Sequence, residues 1–155
     1  MDERRDAEKS TRAACEFLKR AYKKFGSWTL AAAAFNRGSK GIENATKGQN
    51  TKNYYQLYLN EETSRYVLRI LALKLIIEAP EKYGYNLSPS DYYQPVEYKT
   101  IFIDQSIQDL PTFAKSLGVS YQTLKEHNPW IQNTDYKLVL AEGKEYKIRI
   151  PAKKD

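Results

Sequence analysis

"YKTIFIDQSIQDLPTFAKSLGVSYQTLKEHNPW", residues 98–130, changes its hydrophobic period partway along, and that change decides the fold class. Tyr98 to Ile103 (YKTIFI) has the aliphatic and aromatic composition of a strand. Asp109 then stands where a carboxylate caps a helix. Pro111 falls in that helix's first turn, where a missing N–H is harmless, and Leu110, Phe113, Ala114 and Leu117 form an apolar stripe. Gly118 ends the helix. Ser120 caps another, carrying Tyr121, Leu124 and His127, until Asn128 and Pro129 stop it. Downstream, Lys144 to Ile150 (KEYKIRI) alternates as a second strand and Pro151 terminates it. Strand, helix, helix, strand predicts a small βααβ unit over 96–153, with a modest core.

Upstream the pattern is helical. From Ser10 to Phe25, residues Ala14, Phe17, Leu18, Ala21, Tyr22 and Phe25 recur at steps of three and four, one face of an amphipathic helix that Gly26 ends. Ser27 caps a second helix, Trp28 to Phe35, whose alanines allow close approach of a neighbour at little entropic cost. Residues 39–53 read as a weak short helix plus a loop. Tyr54, Tyr55, Leu57, Tyr58 and Leu59 form a helical turn that must be at least half buried. Asn60 is the expected N-cap of a long helix to Ala79, with Glu61 and Glu62 at its positive end and Pro80 closing it. That helix is apolar almost all round, so it is expected to be central and buried, and any unpartnered face would leave an apolar patch. Residues 85–95, inside "YNLSPSDYYQPVE", lack either period and mark a linker. The expected organisation is therefore α+β: an all-α segment over 1–84, a linker over 85–95 and a βααβ unit over 96–153.

Bulk properties narrow the function classes. With 155 residues and 41% hydrophobic content the chain is expected to form one or two globular domains. The apolar run from Leu68 to Ile77 is broken by Arg69 and Lys74, so no transmembrane segment is expected. The start, MDERRDAEKSTR, has no apolar core of a signal peptide. The single Cys15 reads as a small buried hydrophobe. A net charge of +6 is uneven: residues 1–93 hold 16 basic and 11 acidic side chains, residues 94–155 hold 9 and 8. The positive excess of the first segment suits an anionic polymer, and 13 tyrosines supply rings that suit sugar stacking as well as packing.

Two resemblances sharpen this. "AACEFLKRAYKKFGSWTLAAAAFNRGSKGI" followed by "YYQLYLNEETSRYVLRILALKLIIEAPEKYG" resembles the second half of the lysozyme-like (SLT) domain of membrane-bound lytic murein transglycosylases of the D type. The resemblance implies an all-α domain with a cleft for peptidoglycan glycan strands, in a parent protein of the periplasm or outer membrane. It also implies a catalytic glutamate in a Glu-Ser motif, which does not occur in this sequence. Glu3, in "DERRD", is a solvated charge on this reading, as are Glu43, Glu61 and Glu62. No catalytic residue is therefore assigned, and the chain is expected to bind glycan without being active alone. Carried over by position, Phe35 and Asn36 match the family's aromatic-Asn pair and Tyr66 a cleft tyrosine. Read without the resemblance, Phe35 and Tyr66 are packed side chains and Asn36 is a helix-end residue tolerating a left-handed backbone.

The stretch that includes "DLPTFAKSLGVSYQTLKEHNPW", with "EYKIRIP", is similar to LysM domains, βααβ modules that bind glycans containing N-acetylglucosamine. The Gly-Asp often found after the first strand is replaced by Asp104 to Ser106. Tyr121, Asn128 and Trp130 are the candidate sugar contacts, Trp130 serving equally well as a core plug. The same rhythm also resembles a DNA-binding helix-turn-helix, the rival reading. Against it, helix 121–128 offers only Lys125 and belongs to the near-neutral half, whereas phosphate contacts dominate DNA affinity. His127 is alone, without metal-ligand spacing, and no phosphate-binding or nucleotide motif occurs, so neither metal nor cofactor is expected.

Overall fold

In the computed structural model, which describes residues 2–132 and 135–152, helices precede a strand–helix–helix–strand unit, the expected α+β order. Helices α1 (Ala7–Phe25), α2 (Trp28–Arg37), α3 (Ser39–Gly48) and α4 (Glu61–Glu78) come first, then β1 (Tyr98–Ile103), α5 (Leu110–Ser116), α6 (Tyr121–His127) and β2 (Tyr146–Pro151). Residues 12–93 form one compact unit. Residues from Gln94 onward form the other, together with the N-terminal residues up to Thr11, which the sequence places in the first segment. The end residues Met1 and Lys153 of the two expected segments lie outside the described residues.

In the helical unit the alanine helix is the centre. Leu30, Ala31, Ala33 and Ala34 of α2 are buried with Ala21 of α1, Ile42 of α3, Tyr54, Leu57 and Val67. Short side chains let the neighbouring backbones close on α2. Its start is capped by Ser27, whose hydroxyl accepts from the Leu30 N–H at 3.5 Å. Its end turns at Gly38, where φ is +82°, a backbone that any side chain would strain, and α3 begins at once. The Tyr54 hydroxyl lies 2.9 and 2.8 Å from the carbonyls of Thr63 and Ser64 and fastens the first turns of α4. Burial pushes the Tyr54 phenol pKa up.

Three expectations are corrected here. Helix α4 is not central: only Thr63 and Val67 are buried, and Leu68, Ile70, Leu71, Leu73, Leu75 and Ile77 are exposed. Its first turns alone pack against α2 and the Tyr54 turn, so an all-round apolar sequence is one-sided in use. Cys15 is exposed rather than buried, because it lies off the α1 face that holds Ala21 and Phe17. Tyr55 and Tyr58 are exposed while Tyr54 and Leu57 are buried, since a 3₁₀ turn over Tyr54–Gln56 points them apart. Asn60 does occupy the N-cap position of α4, but its side chain makes no cap hydrogen bond and instead accepts from Arg37 Nη1 at 2.7 Å.

In the other unit β1 and β2 pair antiparallel, from Tyr98 opposite Pro151 to Ile103 opposite Tyr146. Strand β2 begins at Tyr146 rather than Lys144, because Lys144 closes a turn on the Ala141 carbonyl. Tyr146, Ile148 and Ile150 form the buried side of β2 and pack with Leu110, Ala114, Leu124, Trp130, Ile131 and Leu138. Both helices carry the caps read from sequence. Asp109 accepts from the Thr112 N–H and Ser120 from the Thr123 N–H, each at 3.0 Å. Residues 2–8 join this unit through the Asp2 N–H, which donates to the Trp130 carbonyl at 2.9 Å, and through Arg149, which pairs with Asp6 and Glu8.

Candidate functional site

At the C-terminal end of α2, Asn36 is fixed by the start of α4. Thr63, itself buried, donates its hydroxyl to Asn36 Oδ1 at 2.9 Å, and the Asn36 amide reaches Glu62 Oε1 at 3.5 Å. The adjoining Arg37–Asn60 hydrogen bond clamps the same junction. Glu62 in turn stands 3.7 Å from Arg69, across two turns of α4. Tyr66 lies between them at helical spacing and is half-buried. Asn36 and Tyr66 are thus brought to one junction, together with Glu62, Thr63 and Arg69. Phe35 is exposed, with its ring edge-on to Phe17 of α1 at a centroid distance of 5.5 Å. The junction offers an amide, a carboxylate, a guanidinium and the Tyr66 ring, a set able to hydrogen-bond and stack on a sugar.

Thr63 was not singled out by sequence, and Glu62 was read there only as a solvated helix-start charge. The signal for Thr63 was faint: a polar side chain four residues before Val67 on an otherwise apolar face.

The βααβ unit separates its three sequence-derived residues. Asn128 is fully buried and its amide is spent internally, donating to the Leu124 carbonyl at 2.8 Å and the Arg149 carbonyl at 2.7 Å while accepting from the Arg149 N–H at 2.8 Å. It pairs with β2 as a further strand residue would, so it is not available to a ligand. Trp130 is also buried, stacked on Tyr146 at 5.8 Å, and is a core plug rather than an open ring. Tyr121 alone keeps an accessible edge. It is half-buried against exposed Tyr136, ring centroids 5.5 Å apart, and burial and the neighbouring Tyr136 and Asp135 push its phenol pKa up. Tyr136, which sequence reasoning missed, is held out by a left-handed backbone with φ +59° while its carbonyl accepts from the Leu110 N–H.

Two of the cavities among the described residues bear on function. One of about 300 Å³ lies by His127, Pro129 and Trp130, where Arg149 is already neutralised by Asp6 and Glu8. The other, of about 380 Å³, is lined by Lys24, Phe25, Leu30, Glu43, Lys47 and Lys52. Among the described residues the carboxylates with displaced pKa values, Asp2, Glu43, Asp91 and Asp109, are all displaced downward, by hydrogen bonds or neighbouring cations. Among the same residues no group of three His, Cys, Asp or Glu side chains could hold a metal ion, and no helix is long and apolar enough to cross a membrane.

Residues 1–58 match the model of the transglycosylase SLT domain, and residues 99–154 match that of the soluble lytic transglycosylase C-terminal LysM-like domain. The chain joins a transglycosylase SLT segment to a LysM-like domain. The SLT segment takes in α1, α2, α3 and the Tyr54 turn, and so includes Phe35 and Asn36 but not Tyr66. The LysM-like domain takes in β1, α5, α6 and β2, which accounts for the helix-turn-helix rhythm of residues 113–128. The chain is 31% identical over 158 positions to the membrane-bound lytic murein transglycosylase D of Escherichia coli (strain K12), and equally to that of Escherichia coli O6:H1. The alignment covers 98% of this chain and 33% of each relative, so the chain spans about a third of the length of the curated relatives it matches.

Proposed function

We propose that the chain binds the glycan strands of peptidoglycan, with the Asn36 junction of the SLT segment as the principal contact, in a cell-wall protein of the periplasm or outer membrane. The observation that carries this reading is the Thr63–Asn36 hydrogen bond at 2.9 Å, which orders an amide at the end of α2, in the residues that match the SLT model, against the face of α4 that carries Tyr66. In the LysM-like domain the Tyr121–Tyr136 pair is the accessible aromatic surface, replacing Asn128 and Trp130 in that role.

The chain on its own binds without cleaving. Protonating a glycosidic oxygen at neutral pH needs a carboxyl whose pKa is raised by an apolar or like-charged setting. Among the described residues the carboxyls that are displaced, those of Asp2, Glu43, Asp91 and Asp109, are displaced downward instead. The DNA-binding alternative is disfavoured because Lys125, the one base of α6 that could face phosphate, donates to the Ile131 carbonyl, and burial lowers its pKa. Co-sedimentation with insoluble peptidoglycan at low salt tests binding, with duplex DNA in a gel shift as the competing ligand. Retention on peptidoglycan without a DNA shift is expected. Loss of retention removes the proposal, and release of anhydro-muropeptides by this chain alone contradicts the inactive assignment.

A further inference from the structure

The cavity of about 380 Å³ stands at the N-terminal end of α2, opposite the Asn36 end, and the glycan reading leaves it unused. Lys24 and Lys47 each donate to one oxygen of Glu43 at 2.8 Å, and Lys40 stands 3.8 Å from it. Glu43 therefore gathers ammonium groups but balances only one of them. The three lysines lining the cavity against this one carboxylate leave its wall at +2. The side chains of Lys52 and Asn50 also line it and have no hydrogen bond or ion pair among the described residues. Phe25 and buried Leu30 supply an apolar wall.

We propose that this cavity is a binding site for a short peptide bearing carboxylates, such as the peptides attached to murein glycan. The volume is roughly a dozen times the ~30 Å³ share of one water, so the occupant has a body as well as a charge. Three lysines against one carboxylate favour a ligand with more than one carboxylate. The Asn50 amide suits a peptide group, and Phe25 with Leu30 suits an aliphatic side chain. The choice of peptide rests on the peptidoglycan reading above; the anion preference does not.

The test is calorimetric titration of the whole chain with the dipeptide alanyl-glutamate, with alanyl-glutamine and inorganic phosphate as comparisons. Saturable binding of alanyl-glutamate is expected, weakened about tenfold or more on loss of one carboxylate in alanyl-glutamine. Lys52→Gln, which breaks no existing pair, is expected to weaken it at least about threefold. Glu43→Gln frees Lys24 and Lys47 and is expected to tighten it, a sign that a merely structural ion-pair network would not give. Equal binding of alanyl-glutamine, no effect of Lys52→Gln, or phosphate binding as tightly as the dipeptide overturns the proposal. Co-sedimentation with glycan strands stripped of peptide reads the Asn36 junction separately, so either claim fails without the other.

Discussion

The hydroxyl of Thr63 donates to the Oδ1 of Asn36 at 2.9 Å, and this bond, with those of Asn36 to Glu62 and Arg37 to Asn60, joins the end of α2 to the start of α4. Because Thr63 is buried, removing either partner strands a polar group.

Asn36→Ala leaves the Thr63 hydroxyl without its acceptor and is expected to lower stability by about 1–2 kcal/mol. It also removes the amide from the junction. Retention on peptidoglycan should fall several-fold more than in Thr63→Val, which keeps the amide and loses only its tether. Urea unfolding together with co-sedimentation separates the two effects.

Asn128→Ala orphans the Arg149 N–H and carbonyl and the Leu124 carbonyl at once. A loss of about 2–3 kcal/mol is expected in the LysM-like domain. That is a large fraction of what a unit of this size holds. Amide hydrogen exchange should show β2 opening while α2 stays protected. Tyr121→Ala, by contrast, is expected to weaken glycan retention with little change in β2 exchange.

Along α4 the packing ends early, and substitution costs should end with it. Val67→Ala is expected to destabilise the helical unit by about 1.5 kcal/mol, from the lost methyl groups and the space they leave. Leu73→Ala is expected to stay within about 0.5 kcal/mol, since Leu73 is exposed. Equal costs at the two positions would mean that α4 is covered along its whole length.

Lys24, Lys47 and Lys40 hold the Glu43 carboxyl down at about 2, below its ordinary 4.5. Its ion pairs are thus fully present above about pH 4.5 and are lost as the pH falls through about 2. Between these limits the urea midpoint should drop with acidification, and the drop should be shallower in Glu43→Gln. Asp2, held at about 2 by Arg4, and Asp91 and Asp109, held below their ordinary values by hydrogen bonds from Ser88 and Thr112, contribute to the residual slope. Added salt should flatten the difference, because all these pairs are partly exposed.

Local chemistry was legible wherever it was contained in a few neighbouring residues. The caps at Ser27, Asp109 and Ser120 and the stops at Gly26 and Gly118 follow from side-chain oxygens and backbone freedom alone, and each stands where the sequence puts it. Burial was not legible in the same way. The apolar surface of α4 says that it can be covered, not which face is, and only the positions of α2 and Tyr54 decide that Val67 is inside and Leu73 is not. Asn128 and Trp130 misled for a related reason. A turn of Asn-Pro-Trp looks open in one dimension, but β2 returns from 21 residues away to take the amide, and Tyr146 takes the ring. Tyr136 was invisible because its exposure depends on a positive φ that no local motif announces.

The most direct measurement is co-sedimentation of the chain with insoluble, DNA-free peptidoglycan at low salt, comparing the unmodified protein with Asn36→Ala. The glycan-binding account predicts retention of the unmodified chain and marked loss in the variant while its circular dichroism stays helical. Equal retention of both, or retention of neither, would contradict it.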